Sequence, residues 1–228
     1  MIHYHGTPIT PNSVIRQLAG SCFCVRYGEH RQVAIVHEIG QAAMLDNGAF
    51  SVWTKGRSAD WPGYYAWAEP WLEFPTTWAV IPDVIDGDEQ ANDELVAEWP
   101  YGERGAPVWH MHESVDRLLR LCAAWPRVCI GSSGEYRIVG SARWRRRMEQ
   151  AMDSLIGSGP VPVWLHGLRM MSQAGSDYPL ASVDSTDIAR NHAGNRTRNG
   201  PRKDPVAMAT RWDSKQNPAR WPPRGVER

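Results

Sequence analysis

No run of eighteen apolar residues occurs in this 228-residue chain, so the sequence offers no membrane-spanning helix. The first residues, Met1-Ile2-His3-Tyr4-His5-Gly6, lack the basic-then-apolar order of an export signal. Only four cysteines are present, Cys22, Cys24, Cys122 and Cys129. They are too few for a disulfide scaffold and suit a reducing cytoplasm, where the chain is expected to reside. Cys22 and Cys24 form an isolated pair within an apolar run and read as buried filler. No internal repeat stands out.

Net charge is also lacking, but the zero is a balance of unequal parts. Residues 1–190 carry 16 Lys and Arg against 22 Asp and Glu, and residues 191–228 carry 9 against 3. An acidic body with a basic tail fits a polyanion contacted at one end, and equally a solubilising terminus. What is present in quantity is apolar sequence, 42% of residues, enough for one sizeable core.

Short apolar runs alternate with helical patterns, as in βα units around a parallel sheet. Strands are expected at Ser21–Tyr27, Ala42–Asp46, Trp78–Pro82, Pro107–His112, Val128–Gly131, Val161–His166 and Leu180–Asp184. Helices are expected at Glu89–Trp99, at Ser114–Trp125 with a Ser N-cap, and at Ser141–Ile156 with Gly157 as the stop. Seven or eight strands in under 200 residues predict an α/β fold, a compact single-domain (β/α)8 TIM-like barrel over residues 1–190, with an open doubly wound sheet as the alternative. Residues 191–228 read as a basic C-terminal arm, in which Val206–Thr210 forms one short element and Trp212 and Trp221 pack back or stay extended.

In parallel α/β folds chemistry gathers at the carboxyl ends of the strands. Six consecutive strand ends here carry polar groups or glycine turns: Asp46-Asn47-Gly48, Asp83 to Asp88, His110-Met111-His112-Glu113, Gly131-Ser132-Ser133-Gly134, His166-Gly167-Leu168-Arg169 and Asp184-Ser185-Thr186-Asp187. Together they point to an enzyme. Each alone has a structural reading as well. Asp-Asn-Gly is a turn signal, Asp83 and Asp184 suit helix capping, and the glycines around Ser132 either cradle an anion or make a tight turn. His110 and His112 share a strand face, as metal ligands often do.

The order of these pieces resembles the tRNA-guanine transglycosylases. Met44-Leu45-Asp46-Asn47-Gly48-Ala49-Phe50 resembles that family's Asp-Ser-Gly-Gly-Phe motif, and Ile81-Pro82-Asp83 stands where its guanine-reading Asp lies. Trp109-His110-Met111-His112 takes the place of a Gln-Gly-Gly strand end. Ile130-Gly131-Ser132-Ser133-Gly134-Glu135 is similar to its Gly-Gly-Leu-x-x-Gly-Glu turn, and Val183-Asp184-Ser185-Thr186 to the strand end bearing the nucleophile. The resemblance spans Leu45 to Arg190. No cysteine follows Cys129, so the structural zinc site of the tRNA enzymes is missing, and there is no room for an appended RNA-binding domain. The short form is similar to the DNA-guanine transglycosylases of bacteriophages and bacterial DNA-modification clusters.

That resemblance implies exchange of guanine in DNA for a 7-deazaguanine such as 7-cyano-7-deazaguanine, with tRNA the less favoured polymer and no cofactor or catalytic metal. Asp184 would be the covalent nucleophile and Asp46 a general acid/base or a holder of the sugar. Asp83 would read the guanine edge, and the N–H groups after Gly131, beginning with Ser132, would bind O6. Phe50 would stack on the base, His110 or His112 would read the 7-substituent, and His166 and Arg169 would touch a phosphate. In the basic arm, Arg196, Arg198, Arg202 and Lys203 would contact the nucleic-acid backbone, with an accessory protein as a further possible partner. Two other readings fit the same residues: a metal-dependent hydrolase using His110, His112, His166 and Asp184, and a non-catalytic nucleic-acid-binding subunit.

Overall fold

The computed structural model describes residues 1–157, 163–193 and 202–221. Its strands are β1 (Ile2–Gly6), β2 (Cys22–Arg26), β3 (Ala42–Asp46), β4 (Thr77–Val80), β5 (Gly105–Ala106), β6 (Val108–His110), β7 (Arg127–Gly131), β8 (Trp164–Gly167) and β9 (Ser182–Ser185). All pair in parallel, in the order β5-β4-β3-β2-β1-β9-β8-β7-β6. The two ends of that order are consecutive in sequence, because β5 and β6 are one strand interrupted at Pro107, whose nitrogen carries no ladder hydrogen. The Ile81 amide donates to the Ala106 carbonyl and the Cys129 amide to the Pro107 carbonyl, each at 2.8–3.0 Å. The sheet thereby returns on itself as the expected barrel.

The helices are α1 (Asn12–Arg16), α2 (His30–Ile39), α3 (Ala49–Lys55), α4 (Trp61–Leu72), α5 (Glu89–Ala97), α6 (Val115–Ala124), α7 (Ala142–Gly157), α8 (Asp187–Asn191) and α9 (Pro205–Asp213). Their starts are chemically legible. Asp88 and Ser114 accept the N–H groups of Ala91 and Arg117, capping α5 and α6. Pro62 and Pro205 stand in the first turns of α4 and α9, where a missing N–H is harmless.

Period-two alternation along the strands divides the core in three. Tyr4, Cys24, Met44, Trp78, Val80, Ala106, Val108 and Cys129 fill the barrel interior. Phe23, Val25, Leu45 and Ile81 face one set of helices. Trp109, Val128, Ile130, Leu165 and Val183 face α6 and α7. The interior is closed low in the barrel by the Trp78 indole N–H, which donates to the Tyr4 hydroxyl at 3.0 Å.

Two features lie outside the sequence expectations. Strand β1 was not foreseen, because its outward residues are His3 and His5, which read as polar. Both are buried on the outer face and meet Asp213 at the end of α9. Helix α9 itself belongs to the barrel wall rather than to a free arm. Met208 and Ala209 join the core beside Ile188, and the Trp212 indole donates to Asp187. Trp221 stacks on Tyr178 and donates to Asp153, so the aromatics of this segment pack back.

Candidate active site

Parallel closure brings the carboxyl ends of β3, β4, β6, β7, β8 and β9 to one mouth, where a cavity of about 660 Å³ opens. Asp46, Asp83, Phe50, His110, Gly131, Ser132 and Arg169 line it. His166 and Asp184 stand on the neighbouring strands and are buried. A smaller cavity, about 270 Å³, lies where the strands begin, around Arg127, Trp78 and Trp164, and includes none of the residues singled out in the sequence.

Asp184 ends β9 opposite Tyr4 of β1 and is 5% exposed. Its Oδ1 accepts the Arg169 amide at 2.6 Å and lies 3.3 Å from His166 Nε2. Its Oδ2 meets no donor among the described residues. The His166 ring is fixed on its other side by Ser182 Oγ at 2.7 Å and by edge contacts with Tyr4 and Trp78. Arg169 reaches Asp184 through an unusual backbone: its φ is +58°, the left-handed region that a non-glycine residue enters at a cost of about 1–3 kcal/mol. Its guanidinium lies 3.6 Å from the centre of the Phe50 ring, so the two side chains meet across the mouth.

Asp46 ends β3, and its Oδ1 accepts the Gly48 amide at 2.8 Å. Gly48 holds φ +78° and starts α3. Burial pushes the Asp46 carboxyl up to about 6, and the negative charges of Asp184 and Asp83 push in the same direction, against the Gly48 hydrogen bond. Asp46 therefore exchanges a proton near neutral pH.

Asp83 has both oxygens engaged. Oδ1 accepts from Asn47 Nδ2 at 2.7 Å, and Oδ2 lies 2.9 Å from His110 Nε2. Asn47 is itself fixed, donating to the Ile81 carbonyl and accepting the Ala49 amide. The His110 backbone is held by Glu113, which also accepts from Asn92 and pairs with the fully buried Arg117 at 2.7 Å. Arg117 donates in addition to Asp93 and to the Val108 carbonyl.

The glycine turn after β7 is shaped by its neighbours. A side chain at Gly131 would begin 3.0 Å from His110 Nδ1, so only glycine leaves room for that ring. The Ser132 hydroxyl accepts the Trp144 indole N–H at 2.9 Å. The Ser132 and Ser133 amides donate to no described residue, and both residues line the cavity. His112, paired with His110 in the sequence, is exposed and does not line the cavity. Its ring joins Ser133 Oγ at 2.7 Å to the Gly87 carbonyl at 3.1 Å, tying the loop after β4 to the glycine turn.

Among the described residues no three His, Cys, Asp or Glu side chains are arranged to hold a metal ion. The four ligands of the hydrolase reading are instead divided among separate hydrogen-bonded groups. Arg202 and Lys203 are exposed, and the Lys203 amide donates to the carbonyl of His192, whose ring meets Thr10 in the loop leaving β1. Arg196 and Arg198 lie outside the described residues.

Sequence reasoning passed over Asn47, which looked like turn chemistry yet holds Asp83. It also passed over Trp53, Ile85, Asp86, Arg137 and Ile138 on the cavity wall. The Trp53 indole donates to Asp86, and Trp53 and Ile138 are both exposed. An exposed Trp and Ile beside Asp and Arg have no periodic signature, so only the fold brings them together. No helix among the described residues is long and apolar enough to cross a membrane. Comparison with family models, with curated proteins and with solved structures finds no match.

Proposed function

We propose that the barrel exchanges a guanine base in DNA for a 7-deazaguanine through a covalent bond between Asp184 and the sugar. What supports this above all is the presence of two unlike carboxylates at the carboxyl ends of the barrel strands, close enough for the charge of one to act on the other. Asp184 has one oxygen held and the other without a donor. Asp46 binds a proton up to about pH 6.

Double displacement uses these two groups in turn. Asp184 Oδ2 attacks C1′, the bond from C1′ to N9 breaks, and its electron pair leaves with the base. Protonated Asp46 gives its proton to the departing guanine, which leaves neutral. The incoming 7-deazaguanine returns a proton to Asp46 from its ring N–H, and that nitrogen attacks C1′. The ester to Asp184 breaks, and the carboxylate is restored with net retention at the sugar. The free amides of Ser132 and Ser133 stabilise charge that develops on the carbonyl of the leaving base. The Arg169 amide keeps the attacking carboxylate in place.

The target nucleotide must leave its stack to reach the mouth, at a cost of a few kcal/mol. Phe50 and Trp53 offer aromatic faces there, and Arg169, Arg202 and Lys203 offer cations for phosphate. The choice of DNA over tRNA rests on the absence of any cysteine after Cys129 in this sequence, where the tRNA enzymes carry their zinc ligands. Release of labelled guanine from duplex DNA and from tRNA, with and without 7-cyano-7-deazaguanine, tests both reaction and polymer. Release from DNA that depends on the deazaguanine and disappears in Asp184→Asn is the expected result. Turnover retained by Asp184→Asn would remove the nucleophile, and release from tRNA alone would reassign the polymer.

A further inference from the structure

The cavity at the opposite end of the barrel, where the strands begin, holds a charge that base exchange does not use. Its volume is about 270 Å³, and Tyr4, Trp78, Arg104, Arg127 and Trp164 line it. Arg127 opens β7 beside Trp164 of β8, its partner in register. Its guanidinium carbon lies 4.6 Å from the centre of the Trp78 ring and 5.3 Å from that of Trp164. A guanidinium keeps its charge throughout the working pH range and carries five N–H donors in one plane. Among the described residues none of these donors has an acceptor, and no carboxylate pairs with Arg127. Of its three nitrogens only Nε is enclosed, so the two terminal groups keep accessible surface.

The face of a barrel where the strands begin ordinarily serves stability, and a plug there needs only apolar volume. Aromatic faces attract a cation but leave its in-plane N–H groups unmet. A second cation stands in the same wall. Arg104 Nη1 donates to the carbonyls of Phe74 and Pro75, and no carboxylate pairs with this side chain either. Burial lowers the pKa of Arg127, and the charge of Arg104 acts in the same direction, so the two guanidiniums are close enough to repel. Glu103 also lines the cavity, yet it forms no ion pair with either arginine among the described residues. Two cations in one wall, with free donors and no counter-charge, are the complement of an oxyanion.

We infer that this second cavity binds a small organic anion, a carboxylate or a phosphate monoester, with its oxyanion on Arg127 and Arg104 and its apolar body toward Ile2 and Pro75. The two cavities share no lining residue, so this site does not rest on the base-exchange reading.

Isothermal titration calorimetry with inorganic phosphate and, separately, with benzoate tests it at low ionic strength, where screening is least. The unmodified protein should bind at least one of them with a millimolar or tighter Kd, and the better probe identifies the head group. Arg127→Met keeps the apolar stem against the indoles and removes the charge. Its affinity for that probe should fall about tenfold or more, with circular dichroism confirming the fold. Asp184→Asn, at the other end of the barrel, should bind the probe as the unmodified protein does. If Arg127→Met does not fold, the half-buried Arg104 decides instead, and Arg104→Met should weaken binding severalfold. No binding of either probe at about 10 mM would overturn the inference. So would affinity unchanged in folded Arg127→Met, or, where that variant does not fold, in Arg104→Met. Guanine release from DNA stands or falls separately, since none of these outcomes depends on it.

Discussion

Asp46→Asn should make the protein more stable while stopping its chemistry, and the size of the gain should depend on pH. The Asp46 carboxyl rises from 3.8 to about 6 on folding. Each unit is about 1.4 kcal/mol, so ionised Asp46 destabilises the fold by about 3 kcal/mol. The folded state binds its proton more tightly than the unfolded chain. Stability contributed by the protonated group is therefore complete below about pH 3.8, declines as pH rises, and is lost above about pH 6. An asparagine carries no charge at either limit, and its side-chain carbonyl can still accept the Gly48 amide. Linkage then gives Asp46→Asn an advantage of about 3 kcal/mol at pH 8 and about 1.5 kcal/mol at pH 5. Urea unfolding of both proteins at the two pH values measures it, with the slopes checked for equality. An advantage that is the same at both pH values, or absent at pH 8, would mean that Asp46 is not held in a charge-repelling site. Guanine exchange should be lost in the same variant, separating the stabilising and catalytic consequences of a single proton.

Arg117→Met leaves Glu113 buried beside the His110 strand end without its cation, and should cost about 3–5 kcal/mol in urea unfolding at neutral pH. A loss under about 1 kcal/mol would show that this network does not hold the site. His3 is buried beneath α9, and burial lowers its pKa to about 4 despite the opposing charge of Asp213. Its neutral form stabilises the fold above about pH 6.5, and that contribution, about 3 kcal/mol, is lost as pH falls through about 4. His3→Gln should flatten the acid side of the stability profile by a comparable amount, and an unchanged profile would exclude His3 as its origin.

The barrel was legible because most of its strands carry apolar runs that end in polar turns, and because α5, α6 and α7 begin or run with recognisable caps and spacing. Strand β1 was hidden by His3 and His5, whose burial depends on α9, about two hundred residues away in sequence. The break at Pro107 was likewise invisible as a division, since the apolar run passes through it. At the site, local sequence pointed to the strand ends but not to the partners. Asn47 beside Asp46 reads as a turn, and nothing in the sequence says that its amide reaches across to Asp83. His110 and His112 alternate as metal ligands would, yet the bend after β6 sends one to Asp83 and the other to Gly87. Side-chain pairs between strands are set by register and closure, which no window of sequence contains.

Closure also raises an electrostatic problem, for it gathers Asp46, Asp83 and Asp184 at the strand ends, where the charges of the other two raise the cost of ionising Asp46. The structure meets that problem in three ways. Asp83 holds one side-chain partner on each oxygen, Asn47 on Oδ1 and His110 on Oδ2. Asp184 takes a main-chain donor that exists only because Arg169 adopts a strained φ, which leaves its second oxygen open. Asp46 receives just the Gly48 amide, and its proton affinity rises instead. Three identical functional groups thereby come to stand in three different settings. Full solvation of all three would erase the differences, so the burial around the strand ends sets their properties as much as the carboxylates themselves do.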